Sequence, residues 1–262
     1  MAHFFISLLT DFGYRDHYVG VMKGVIFRIN PQVKIVDISH QVTPHNITEG
    51  AFLLYNVYSY FPPGTIFVAV VDPGVGSKRK PILVKTENFY FVGPDNGIFG
   101  LIYEEIKNFE VLELNNPRFF LSPVSATFQG RDIFAPVAAY LSSGVSPLEM
   151  GKAIKNFVRL PFTQPTFKKK EIQGKVIYID GFGNLVTNIK APDFIPYDKK
   201  QLKIKIGNKI ISGLAKNYQE VEKGSLLALI GSSNFLEIAV SEGSAQKKLK
   251  GKVGDPVQVF LS

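Results

Sequence analysis

Cysteine and tryptophan are absent from the 262 residues, and histidine (four) and methionine (three) are scarce. Without cysteine there is no disulfide framework and no thiolate chemistry, which suits a cytoplasmic protein. The four histidines, His3, His17, His40 and His45, all fall near the start of the chain, so a histidine-rich metal site is not expected. Long hydrophobic runs are also missing. No stretch approaches the roughly 18 apolar residues of a membrane span, and the N-terminal residues lack a basic segment leading into a long apolar one. A soluble protein with no membrane partner is the expectation.

What is abundant is lysine and arginine, 30 against 22 acidic residues, for a formal charge of +8. The lysines crowd Lys168-Lys169-Lys170, Lys199-Lys200 and Lys247-Lys248-Lys250-Lys252, in what read as a linker, a loop and a hairpin. No recognition helix and no aromatic-interleaved basic ribbon carries them, so they read as solvated faces, not a nucleic-acid surface.

The first 160 residues alternate apolar runs with helical periods. Residues 4–10 read as a buried strand, Tyr18 to Ile29 as a helix stopped by Asn30-Pro31, and 34–38 as a short strand. His45 to Tyr60 reads as a second helix, ended by Phe61-Pro62-Pro63-Gly64. Thr65 to Val71 is the most continuous strand signal, followed by strands at 82–86 and 89–92 and a helix ending near Lys107. Such alternation predicts a Rossmann-like α/β domain with a sheet covered on both faces. Ligands of such sheets gather beyond the carboxyl ends of the strands, and Asp11, Asp72 and Asp95 all sit just past strand ends.

After Leu160 the texture changes. Pro161, Pro165 and the lysine run predict a linker over 161–170. From 171 to 262 short strands at 174–179, 202–206, 226–230, 235–240 and 256–260 alternate with glycine- and asparagine-containing turns, which fits a small all-β barrel or sandwich.

Several stretches are dense in groups that can carry chemistry. Thr127-Phe128-Gln129-Gly130-Arg131-Asp132 ends an irregular segment and opens the apolar run 133–141. Such a loop can present N–H groups to a ligand, or it can be a cap with a surface ion pair. Asp11 can hold a ribose diol or cap a helix. Asp72-Pro73-Gly74-Val75-Gly76 with Arg79 offers a carboxylate and a guanidinium on one glycine-rich loop, but it lacks the ending of a phosphate-binding Walker loop. In Asp180-Gly181-Phe182-Gly183-Asn184-Leu185-Val186-Thr187-Asn188, Phe182 offers a stacking face, Asn184 a paired donor and acceptor for an adenine edge, and Asp180 an anion for an ammonium group. The same stretch can equally be a purely structural turn. Ser232-Ser233-Asn234 is a small-polar loop, able to hold a carboxylate, that enters a strand carrying Glu237 and Val240.

Together these segments resemble the S-adenosylmethionine hydrolases (adenosine-forming hydroxide adenosyltransferases), a family related to the fluorinases and chlorinases. The resemblance rests on Thr10-Asp11-Phe12-Gly13, Val42-Thr43-Pro44, Val71-Asp72-Pro73-Gly74-Val75-Gly76 and Pro94-Asp95-Asn96-Gly97. It continues through residues 127–136, Phe182 to Asn188, Gly231-Ser232-Ser233 and Leu236 to Val240. It implies an N-terminal α/β domain, a C-terminal β-barrel and a homotrimer with active sites between the α/β domain of one subunit and the barrel of the next. It implies S-adenosylmethionine as substrate, with no cofactor and no metal. Asp11 would bind the ribose hydroxyls, and Asn184 and the Val240 backbone would read adenine with Phe182 stacking on it. Asp180 and Ser232 would hold the methionine amine and carboxylate, with Glu237 in the same binding strand. Asp72 and Arg79 match two of the three residues that orient the attacking water.

At the third position the chain departs from the pattern, with Gln129 where the family's hydrolases usually carry histidine. A glutamine amide can hydrogen-bond a water but cannot take its proton at neutral pH. The resemblance therefore implies hydrolysis to adenosine and methionine, slowed at this position. Two other readings stay open: a catalytically silent adenosine- or S-adenosylmethionine-binding protein, and a halogenase, which the Asp72 charge disfavours.

Overall fold

The computed structural model describes residues 5–160, 164–194 and 201–261. The chain divides into two compact units, Met1–Phe162 and Thr163–Ser262.

The first unit is built on a seven-stranded sheet. Its strands are β1 (Phe5–Thr10), β2 (Lys34–Ser39), β3 (Ile66–Val70), β4 (Pro81–Thr86), β5 (Tyr90–Pro94), β6 (Phe109–Leu114) and β7 (Gly151–Ala153), in the order β2-β1-β3-β5-β4-β6-β7. The four strands β2, β1, β3 and β5 are parallel, and the remaining pairings are antiparallel. Unbroken apolar strands arise because both faces are covered. Ile66, Val68 and Val70 belong to the cluster that includes Met22 and Ile26 of α1 (Tyr18–Ile29). The alternate residues Phe67, Ala69 and Val71 pack with Leu54 of α2 (Ile47–Val57) and Ile102 of α3 (Gly100–Glu105). Phe67 and Phe91, paired across β3 and β5, stack at 5.2 Å and 16°, and removing such a fully buried ring costs about 3–5 kcal/mol.

The helix expected from His45 to Tyr60 begins later. His45 lies at φ 67°, Asn46 caps α2 by accepting the Glu49 N–H, and the last turn tightens to a 3₁₀ turn at Tyr58–Tyr60. Strand β6 is absent from the sequence reading.

The run that follows Gln129 starts as a π-helical turn, Gly130–Phe134, and continues as α4 (Ala135–Ser142). Pro136 is the physical reason: it offers no N–H to the Asp132 carbonyl four residues back, and its ring crowds that position in a regular helix. The Asp132 carbonyl instead accepts the Leu121 N–H at 2.8 Å. Such wide turns recur at functional sites. A short helix, α5 (Pro147–Met150), leads into β7.

The second unit is a nearly closed antiparallel barrel. Its strands are β8 (Thr166–Lys168), β9 (Glu171–Ile179), β10 (Leu185–Lys190), β11 (Lys203–Ile206), β12 (Lys209–Ser212), β13 (Leu226–Ile230), β14 (Phe235–Val240) and β15 (Pro256–Phe260). The order is β12-β11-β15-β9-β10-β14-β13, with β8 on β9. The end strands β12 and β13 return beside each other. Ile204 and Ile206 point into the core while Lys203 and Lys205 face out, the alternation of a half-buried strand.

Three expectations are corrected here. The proposed linker 161–170 contains strand β8, with its first three residues outside the described ones. Lys247 and Lys248 lie on a short helix, α6 (Ala245–Leu249), not in a hairpin. Residues 185–188, the end of the polar stretch from Asp180 to Asn188 that could be a turn, lie in β10. Lys199-Lys200 lies outside the described residues.

Candidate active site

In the first unit the parallel strands end at Thr10, Ser39, Val70 and Pro94, so their following loops share one edge of the sheet. These loops carry Asp11, His40, Asp72 and Asp95.

Asp11 Oδ2 accepts the backbone N–H of His45 at 2.9 Å, which ties the β1 loop to the turn before α2. Asp72 is held in both oxygens by one guanidinium. Arg79 Nε donates to Oδ1 at 2.9 Å, and Nη2 donates to Oδ2. Both side chains are buried, Arg79 at 8% and Asp72 at 5% exposure. The Arg79 guanidinium lies 5.5 Å over the Phe134 ring of the π-helical turn. Gly76, at φ 78°, lets this loop press its backbone on Ala126, where a Cβ would collide with the carbonyl.

Gln129 immediately precedes the π-helical turn. Its neighbour Phe128 packs edge-on against Phe12 at 5.9 Å and Tyr18 at 5.1 Å, so the residues flanking Gln129 and Asp11 are in contact. Gln129 Oε1 and Arg79 Nη1 are both buried without a hydrogen-bond partner. An orphaned buried acceptor and an orphaned buried donor are costly unless a small polar group serves them. The Arg131–Asp132 pair is the local ion pair that sequence allowed: Nε donates to Oδ1 at 2.6 Å and Nη2 to Oδ2 at 2.9 Å. The buried Asp132 also accepts the Ser125 N–H, bracing the segment before Gln129.

In the second unit, Asp180 closes the turn ahead of β10. Its Oδ1 accepts the N–H of Phe182 at 2.9 Å and of Asn184 at 2.8 Å, and Oδ2 accepts Asn184 Nδ2 at 2.8 Å. Asn184 is buried, whereas Phe182 at the tip is 82% exposed. Glu237, on β14, is 7% exposed. Burial pushes its carboxyl above the usual range, and the Asp180 charge adds to this, opposed by the Tyr218 hydroxyl that donates to Oε2 at 3.1 Å. Tyr218 is itself pushed up to about 12 by burial and by Glu237. Gly231 lies so close to the Glu237 carboxylate that a Cβ there would overlap it. Ser232 is exposed in the β13–β14 turn, and the Val240 carbonyl accepts the Gly243 N–H at 3.1 Å.

The candidates thus fall into two groups, one in each unit. Asp72 and Arg79 are brought together, as are Asp180 and Asn184, and Glu237 senses Asp180. Tyr218 and His40 escaped the sequence reading. Tyr218 stands in a stretch without apolar periodicity, and His40 meets its partners only through sheet pairing. Among the described residues no group of three or more His, Cys, Asp or Glu side chains could hold a metal ion.

Comparison with known proteins covers most of the chain. The model of the SAM hydroxide adenosyltransferase N-terminal domain matches residues 6–151, and that of the C-terminal domain matches residues 174–258. An (R)-S-adenosyl-L-methionine hydrolase of Methanocaldococcus jannaschii is 38% identical over 97% of this chain and 95% of its own. One from Thermus thermophilus is 33% identical over 97% and 99%. A fluorinase of an Actinoplanes species is 27% identical over 72% of each chain. The crystal structure of an uncharacterized conserved protein from Thermotoga maritima superposes with a TM-score of 0.92 at 40% identity, covering 97% of this chain and 99% of that one. The chain belongs to the SAM hydroxide adenosyltransferase family.

Proposed function

We propose that this protein hydrolyses S-adenosyl-L-methionine to adenosine and L-methionine. The observation that carries the reading is the buried Asp72–Arg79 pair, whose guanidinium keeps one donor, Nη1, unspent in a unit where Gln129 keeps a buried acceptor unspent. We read both as partners of the attacking water or hydroxide. In the reaction the water oxygen bonds to C5′ as the C5′–S bond breaks. The electron pair leaves on sulfur, which goes from sulfonium to the neutral thioether of methionine, and the proton passes to solvent. A leaving group of this kind needs no acid, so the work of the site is positioning and desolvation of the nucleophile.

Asp72 fixes the guanidinium plane, Arg79 Nη1 holds the nucleophile, and Gln129 Oε1 accepts from it. Asp11 takes the ribose hydroxyls. Asn184 and the Val240 backbone read adenine against the Phe182 ring, and Asp180, Ser232 and Glu237 take the methionine end. The reading includes a cytoplasmic homotrimer in which half-sites of different subunits meet on one substrate. The names of the relatives, hydrolases at 33–38% identity, support the activity.

Gln129 favours a second reading, a protein that binds adenosine or S-adenosylmethionine without turnover, because no base stands at that position. Incubation with S-adenosylmethionine, with and without chloride, followed by separation of the nucleosides decides. Adenosine and methionine in equal amounts support hydrolysis. A chloride-dependent 5′-chloronucleoside would make it a halogenase, and bound but unconsumed substrate the silent binder. Sedimentation at the monomer mass of 29.1 kDa with full ligand affinity would overturn the trimer.

A further inference from the structure

We infer that His40 is a positioning residue for Asp11, acting through the backbone of the β1 loop. The inference rests on the reading of Asp11 as the ribose-binding carboxylate.

His40 is wholly buried, yet its partners are not those of a core side chain. Its Nε2 faces Asp37 Oδ1 at 3.2 Å, and Asp37 Oδ2 is bound by Lys23 Nζ at 2.6 Å. Its Nδ1 meets Thr10 Oγ1 at 2.8 Å. The Nε2–Oδ1 approach lacks hydrogen-bond alignment, but a carboxylate beside Nε2 favours the proton there, which assigns Nδ1 as the acceptor of the Thr10 hydroxyl. That leaves the Thr10 oxygen to accept the Phe12 N–H at 3.2 Å. The backbone of the same histidine acts on the other flank, its carbonyl accepting the Gly13 N–H at 2.6 Å. One buried residue therefore holds positions 10, 12 and 13, with Asp11 between them, while His45 N–H holds the carboxylate itself.

An aspartate–histidine–threonine series also has the form of a nucleophile with its base. That role fails here, since Thr10 is fully buried and its hydroxyl is already committed as donor and acceptor. Burial is the largest influence on the imidazole and lowers its basicity, with Lys23 acting the same way and Asp37 opposing. The neutral, directional form is the one that the network requires.

The test compares affinities of the full-length protein for adenosine and 2′-deoxyadenosine by calorimetry. Asp11→Ala should remove the preference for the ribonucleoside. His40→Ala should lower that preference about tenfold while leaving 2′-deoxyadenosine affinity nearly unchanged, the size of a lost hydrogen bond to a charged group. His40→Asn, whose amide can still reach Thr10, should recover part of it. A general loss of packing would instead weaken both nucleosides alike and would overturn the inference. If His40→Ala does not fold, Thr10→Val, which removes only the bridging hydroxyl, decides by the same ratio. A preference kept in the folded His40 or Thr10 variant but lost in Asp11→Ala overturns the inference and spares the role of Asp11. A preference kept in Asp11→Ala overturns the ribose reading itself, and the inference with it.

Discussion

The side-chain amide of Asn184 donates to Asp180 at 2.8 Å, and the same carboxylate also receives the backbone N–H groups of residues 182 and 184. Three N–H groups on one carboxylate fix the turn and the plane of the Asn184 amide, so in the proposed reading its adenine-facing edge is set before any ligand arrives. Asn184→Ala should weaken adenosine binding by about 1–3 kcal/mol, the cost of a lost buried edge partner. Unchanged affinity by calorimetry would mean that adenine lies elsewhere.

Phe182 at the tip of that turn is 82% exposed, so it adds little to the barrel core. Phe182→Ala should leave the thermal midpoint nearly unchanged, as surface substitutions shift stability by about 0.5 kcal/mol or less. It should still weaken adenosine binding by about 1–3 kcal/mol, the size of a base–aromatic stack. A variant with a lower midpoint and full affinity would show a structural residue.

The same region shows where sequence legibility ended. Strands β1 and β3 and helix α1 were plain, because each strand is mostly apolar and the helix keeps a clean apolar period, Ser7 of β1 and Lys23 of α1 being too few to mask it. Strand β10 was hidden. Its Thr187 and Asn188 are buried polar residues that spend their side chains on backbone, Thr187 on the Ile189 N–H and Asn188 on the Lys175 N–H, at a register shift against β9. Such residues read as loop because their partners are invisible in one dimension. The Asp180–Asn184 turn and the Asp72–Arg79 loop were legible as dense polar clusters of short range. Which atoms bond within them was not, and the His40 network needed the pairing of β1 with β2 to exist at all.

Breaking the Asp72–Arg79 pair should be more damaging than deleting it. Asp72→Ala leaves a buried guanidinium without its counter-charge and should destabilise the fold by about 3–5 kcal/mol. Arg79→Ala in the same background removes the stranded charge, so the double variant should recover part of that loss. Chemical denaturation of the three proteins measures it. Additive losses would show that the pair does not share its energy as this geometry requires.

Glu237 gives stability a defined pH dependence. Burial, helped by the Asp180 charge, raises its folded-state pKa above the unfolded 4.5. The folded protein therefore holds the proton more tightly, and this contribution is complete below 4.5 and lost as pH rises through the folded value. Glu237→Gln keeps an acceptor for the Tyr218 hydroxyl and cannot ionise. The melting temperature of wild type should fall relative to the variant as pH rises above 4.5. A constant difference across that range would mean that the carboxyl titrates as it does in the unfolded chain.

Gln129→His separates base from scaffold at the nucleophile. Gln129 Oε1 is a buried acceptor without a partner, so an amide can already receive one hydrogen bond from a water. It cannot remove the proton, whereas an imidazole can. If the position supplies a base, histidine should raise turnover by about 10²–10⁴-fold. Binding should barely change, because Asp11, Asp180, Asn184 and Ser232 carry it in this reading. We expect a substantial gain, with the parent hydrolysing slowly through Asp72 and Arg79 alone. Turnover equal to the parent within about a factor of two would show that the residue only places the water, since a base contributes far more than that. Two inactive proteins that still bind adenosine would make the silent binder the better account, and would leave the Asp72–Arg79 pair as a recognition element.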